Sequence, residues 1–282
     1  MSGYVYMSQK VILIVLDGLE YETGRQCMGF LQALREQGQA TLYKLQCELP
    51  SMSRPLYEAI LTGVSPVNSG IVHNNVCRLS TQQSVFSLAR ANGLTTAAAA
   101  YHWFSELYNR APFNAKRDRH TADSEGAIQY GTFYYRDHYP DDHLFADAEA
   151  LRRQHDPDFL LVHPMNIDDA GHKAGWDSTR YRNTARHTDV ALSEYLPDWL
   201  AAGYQVLVTS DHGMNNDFSH GGILPEERRV PLYVMGQGFS HNAESRPQQL
   251  ELCGAVCQLL GLQGHGKAFP KEFLHADFSG AN

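Results

Sequence analysis

Val11–Leu16 is continuously apolar and rich in β-branched residues, and Phe159–His163 and Gln205–Thr209 are two further strand-like runs with apolar centres. Such runs suit strands buried on both faces of a parallel sheet. Thr95–Tyr101 reads as a further strand, and Pro231–Met235 as another. Helical spacing covers Cys27–Gln37, stopped by Gly38, Arg54–Thr62, stopped by Gly63, and Thr81–Ala91, followed by Gly93. It returns over Asp142–Arg153, over Tyr181–Leu196, which Pro197 should end or kink, and over Leu250–Leu260. Strands alternate with helices throughout. That alternation predicts an α/β fold: a mostly parallel central sheet with helices on both faces. The segment around 103–140 is aromatic, polar and aperiodic, and is expected to be a small cap-like insertion. No linker divides the rest, so a single domain over residues 1–282 is expected.

Composition narrows this picture. A chain of 282 residues is long enough for one large α/β core. Its formal net charge of -8 argues against gripping a nucleic-acid polymer through its phosphates. A small anionic substrate stays open, because bound metal ions reverse the charge of one cleft. Five cysteines at scattered spacings suggest no disulfide framework, and Cys253 and Cys257 read as small residues on one packed helix face. The run Val11–Leu16 is too short to span a membrane and has no cleavage site after it. A soluble, cytoplasmic protein with no membrane span is therefore expected.

The acidic and histidine residues fall in a pattern. Asp17 directly follows the first strand, Asp168 comes soon after the second, and Asp211 and His212 stand just after the third. Ligands of open α/β sheets bind beyond the carboxyl ends of the strands. Alone, each Asp reads as a turn or cap residue, and His172 and His220 read as loop histidines. Together they deliver carboxylates and imidazoles from distant segments to one edge, as divalent metals require. Ser53 precedes a predicted helix. It reads as an N-cap, or as a hydroxyl nucleophile at the positive end of that helix. A hydroxyl needs activation, and without a G-x-S-x-G elbow a metal is the economical activator.

Four blocks follow one another in the chain: Val15-Leu-Asp-Gly-Leu19, Leu49-Pro-Ser-Met-Ser-Arg-Pro55, Asp168-Asp-Ala-Gly-His-Lys173 and Thr209-Ser-Asp-His-Gly-Met214. In this order the chain resembles the nucleotide pyrophosphatase/phosphodiesterase branch of the alkaline phosphatase superfamily. The resemblance implies an alkaline-phosphatase-like fold and two divalent metal ions, Zn²⁺ ahead of Mn²⁺ or Fe²⁺. It implies Asp17, Ser53, Asp211 and His212 as ligands of one ion, and Asp168, His172 and His220 as ligands of the other. Asn74 matches the family's donor to a phosphate oxygen. Asn75, Asp169 and His241 are nearby rivals of Asn74, Asp168 and His220.

The implied reaction is cleavage of a phosphodiester or pyrophosphate bond in a small, nucleotide-like phosphate ester, through a phosphoseryl intermediate on Ser53. Two departures stand out: Ser in place of the nucleophilic Thr general in eukaryotic members, and Arg54-Pro-Leu56 in place of Phe-Pro-Asn. His102-Trp103-Phe104 occupies the place where monoesterases of the superfamily tend to carry Lys and Arg, which favours a diester. The alternatives are a phosphomonoesterase or phosphonate hydrolase with the same metals, and a non-catalytic phosphate-binding protein.

Overall fold

The computed structural model describes residues 8–278. Its strands are β1 (Val11–Val15), β2 (Thr41–Gln46), β3 (Thr96–Tyr101), β4 (His120–Ala122), β5 (Tyr130–Tyr134), β6 (Phe159–Val162), β7 (Gln205–Thr209) and β8 (Arg229–Met235). They form one sheet in the order β2-β8-β7-β1-β6-β3-β5-β4. The central strands β7, β1, β6, β3 and β5 are mutually parallel. Strand β8 runs antiparallel to both β2 and β7, and β4 runs antiparallel to β5.

The apolar runs explain the layering. Successive side chains of a strand point to opposite faces. Val11, Leu13 and Val15 enter one core and Ile12, Ile14 and Leu16 the other. The first core is closed by Tyr57, Ile60 and Leu61 of the Ser53–Thr62 helix, by Val85, Phe86 and Ala89, and by the Leu252–Leu259 helix. The second is closed by Leu144, Phe145, Ala148 and Leu151 of the Asp141–His155 helix, with Tyr181, Ala185 and Leu192 of the Thr179–Ser193 helix. The α/β fold with helices on both faces is therefore present. β3 shows why small residues matter at the centre. Its run of four alanines, Ala97 to Ala100, is fully buried and leaves room for aromatic side chains on both sides.

Several boundaries differ from the sequence reading. The helix expected over Cys27–Gln37 is two, Tyr21–Cys27 and Gly29–Glu36, because Met28 leaves the helical region with ψ of 78°. The Thr81–Ala91 helix starts at Val85, where Ser84 forms a capping box with Ser87. The segment around 103–140 supplies two short helices plus β4 and β5, which extend the sheet at one edge. Strand β2 was not anticipated, since its Lys44 and Gln46 are exposed between buried residues. Among the described residues, no helix is long and apolar enough to cross a membrane.

Candidate metal centre

Strand ends place the first ligand candidates. Asp17 lies just beyond β1, and Asp211 and His212 lie just beyond the neighbouring β7; all three are fully buried. Asp168 follows β6, on the other side of β1, but not in a loop. It sits in the Asn166–Ala174 helix with His172 four residues on, so the two share one helix face. The loop reading of His172 is thus corrected: the polar Asn166–Ala174 stretch is helical because Ile167, Ala170 and Gly171 pack inward. Gly18 holds β1 close to this helix. Its φ is +74°, and a Cβ there would lie 2.8 Å from the Asp168 Cα.

The three histidines share one hydrogen-bonding scheme. His172 Nδ1 is 2.8 Å from the Phe218 carbonyl, His220 Nδ1 is 2.7 Å from the Ser51 carbonyl, and His212 Nδ1 is 2.7 Å from the Gly213 carbonyl. A carbonyl only accepts, so each Nδ1 carries the proton and each Nε2 turns a lone pair inward in the neutral ring. The His172 and His220 Nε2 atoms stand 3.2 Å apart. His172 Nε2 lies 3.4 Å from Asp168 Oδ2, and His220 Nε2 lies 3.6 Å from Asp168 Oδ1. His212 Nε2 lies 3.4 Å from Asp17 Oδ1 and 3.3 Å from Asp211 Oδ2, and accepts a hydrogen bond from the Ser53 hydroxyl at 3.0 Å.

Three carboxylate oxygens at this place, Asp17 Oδ1, Asp168 Oδ1 and Asp211 Oδ2, are buried without a hydrogen-bond partner. Buried polar atoms are normally satisfied. Three unsatisfied acceptors facing inward lone pairs form a cluster whose donor atoms suit bound cations. Asp168, His172 and His220 form one such cluster, and Asp17, Asp168 and His212 form another, with Asp168 in both. The donor set of carboxylate oxygens and imidazole nitrogens thus fits two divalent ions.

Electrostatics agree. Burial is the main force holding the His212 imidazole down to about 4, with His220 adding to it, so the ring stays neutral. Burial pushes the Asp211 carboxyl well up, and the nearby Asp17 and Asp168 carboxylates push it further. His172 goes the other way: its hydrogen bond to Asp168 raises it to about 9 against the opposing effect of burial. Without a metal, a proton partly fills the cation's role.

Asn74 Oδ1 accepts from the Arg54 backbone N–H at 3.0 Å, which fixes the amide and leaves Nδ2 as its free donor. Pro55 has no N–H, so few free donors remain at that helix start. The exposed Asn75 donates its backbone N–H to His73 and accepts from the Cys77 N–H, both through its main chain. Asp169 pairs with Lys173, and His241 bonds Thr41 and the Gly236 carbonyl. The Arg54 guanidinium is buried against Glu106 at 2.7 Å and lies over Trp103, while Phe104 stacks on Tyr57 at 4.3 Å. His102 meets the rings of Tyr101 at 4.5 Å and Phe113 at 5.1 Å, so all three residues of the aromatic block carry internal packing. Sequence reasoning missed His163 and Tyr57, whose hydrogen bonds both reach Asp17 Oδ2. His163 ends an apolar run and Tyr57 sits inside a helix, so neither stood out.

Comparisons with known proteins give the family and the fold. The family model described as type I phosphodiesterase / nucleotide pyrophosphatase matches residues 11–224. A human protein named GPI ethanolamine phosphate transferase 2, catalytic subunit, is 21% identical over 90% of this chain and 26% of its own length. A GPI ethanolamine phosphate transferase 2 from Candida albicans is 24% identical over 84% of this chain and 27% of its own. The chain thus spans about a quarter of the length of the curated relatives it matches. The solved structure of murine ectonucleotide pyrophosphatase/phosphodiesterase 5 superposes with a TM-score of 0.73 at 14% identity, covering 95% of this chain and all of the other. That likeness shows the fold.

Two expectations are corrected. An inactive form of the murine protein, solved in complex with AMP, carries a threonine-to-alanine change. The hydroxyl its activity depends on is a threonine's, so the phosphoseryl intermediate expected on Ser53 is withdrawn. The presence of a hydroxyl near a metal site does not by itself identify the attacking atom. The cytoplasmic assignment is withdrawn too: the solved relatives are named as ecto-enzymes and the curated ones as acting on GPI. The shortness of an apolar run carries no information about compartment. With the family model covering most of its length and two acid–histidine clusters of a metal-dependent hydrolase at its strand ends, the chain belongs to the type I phosphodiesterase/nucleotide pyrophosphatase family.

Proposed function

We propose that this chain cleaves a phosphodiester or pyrophosphate bond of a small phosphate ester at a centre of two divalent metal ions. The observation that carries the reading is the set of three buried, unpartnered carboxylate oxygens facing three inward imidazole lone pairs. Asp17, Ser53, Asp211 and His212 hold one ion, and Asp168, His172 and His220 hold the other, with Asp168 also close enough to Asp17 and His212 to reach the first. Zn²⁺ is the ion proposed, because imidazole nitrogens mixed with carboxylates suit it. When bound, two such ions stabilise the attacking and leaving oxygens of an in-line displacement. The protein's own part is orientation. The backbone carbonyls of Phe218, Ser51 and Gly213 fix the histidine tautomers. Asn74, clamped by the Arg54 N–H, offers Nδ2 to a non-bridging phosphate oxygen. The burial of Arg54 against Glu106 leaves its charge already met, which suits a diester better than a dianionic monoester.

The names of the curated relatives favour a second reading, transfer of a phosphoethanolamine group to an alcohol. Both readings share the metal centre and differ in acceptor. Rates on bis(p-nitrophenyl) phosphate and p-nitrophenyl phosphate, each with Zn²⁺ or Mn²⁺, test the first. Faster turnover of the monoester would refute it. Product analysis in the presence of an alcohol acceptor separates hydrolysis from transfer.

A further inference from the structure

His163 lies outside the ligand set, yet it is fully buried at the end of β6, one strand away from Asp17. Its Nε2 is 2.9 Å from Asp17 Oδ2. The Tyr57 hydroxyl donates to the same oxygen. The other oxygen, Oδ1, receives nothing from the protein and stands 3.4 Å from His212 Nε2. Two donors on one carboxylate oxygen and none on the other fix the rotation of the group. They leave the unprotected oxygen facing the cluster with Asp168 and His212.

The ring that does this is itself held on several sides. Tyr57 meets it edge-on at 4.7 Å, Phe104 at 4.9 Å, and Tyr134 lies parallel at 6.4 Å. The Tyr134 hydroxyl donates to the His163 carbonyl at 2.8 Å and sits 3.2 Å from Nδ1. A packed histidine with no route to solvent serves no surface purpose, and the core would be filled as well by a leucine. What the imidazole adds over a leucine is an N–H aimed at Asp17 Oδ2, with Nδ1 steadied beside the Tyr134 hydroxyl.

We propose that His163, seconded by Tyr57, is the positioning residue for Asp17: it takes up Oδ2 and thereby presents Oδ1 to one of the two metal ions. The proposal rests on the two-metal reading given above. Partners of this kind orient metal-ligating groups, and their loss typically lowers metal affinity 10–100-fold.

The test is titration of the chelator-stripped full chain with Zn²⁺, reading equivalents bound and the affinity of each, with circular dichroism to confirm folding. In His163→Leu, one equivalent weakens about 10–100-fold while the other keeps the parent's affinity. In His163→Gln, whose amide returns an N–H near the Nε2 position, most of that loss is recovered. If the leucine variant does not fold, Tyr57→Phe replaces it, since it deletes only the second donor to the same oxygen. Variants that bind both equivalents as tightly as the parent overturn the proposal, as does equal weakening of both. A parent that binds fewer than two equivalents overturns the metal reading itself, and the proposal with it.

Discussion

Asp168 stands in both acid–histidine clusters, with one oxygen near His172 and the other near His220. Its loss should therefore disturb both ions. Asp168→Asn is expected to bind fewer than two Zn²⁺ and to lose at least about 100-fold in turnover, since weaker changes to groups behind the ligands already reach that range; metal analysis beside bis(p-nitrophenyl) phosphate assays checks it. Asn74→Asp replaces the free amide donor by a negative charge, and a fall of about 100–1000-fold in kcat at unchanged metal content is expected. The metal-free histidines give a pH signature. His212 is held to about 4, so between its unfolded value near 6.5 and 4 only the unfolded chain takes up that proton. Its contribution to stability is full above 6.5 and is lost as pH falls through that window. His172 is raised to about 9, so its contribution is full below 6.5 and is lost as pH rises towards 9. Nuclear magnetic resonance of the stripped protein should show both displaced titrations, and adding Zn²⁺ should abolish them. Two ordinary curves near 6.5 would contradict the site geometry.

At the scale of elements, the site depends on close approach. Gly18 lets the turn after β1 pass the Asn166–Ala174 helix, and both its left-handed φ and the 2.8 Å approach forbid a Cβ. Gly18→Ala should lower stability by about 2 kcal/mol or more, read as a drop in Tm together with weaker metal binding. What the sequence made legible follows the same lines. The runs of β1, β6 and β7 are apolar on both faces, so their position and burial could be read directly, and with them the acids at their ends. β2 escaped because its outer face is polar, and the antiparallel direction of β8 escaped because direction is set by the loop before a strand. The break at Met28 escaped because apolar spacing continues through it. His163 and Tyr57 escaped for a deeper reason. Their role lies in which carboxylate oxygen they touch, and residue type and spacing do not encode that.

Over the whole molecule, the sheet order puts β7, β1 and β6 side by side, so segments almost 200 residues apart in sequence meet at one edge. The charge gathered there is unfavourable without cations, because three buried carboxylates repel one another. Metal binding and folding are therefore linked. Chelation should lower Tm, and adding back Zn²⁺ at about 100 times its Kd should restore close to 3 kcal/mol per site. The central claim is the two-ion centre, and one measurement meets it most directly: Zn²⁺ titration of the stripped full chain, followed simultaneously by calorimetry and by hydrolysis of bis(p-nitrophenyl) phosphate. The account predicts two equivalents bound per chain and hydrolysis that rises to its plateau only as the second is filled. One equivalent or none, or full hydrolysis before any Zn²⁺ is added, would contradict it.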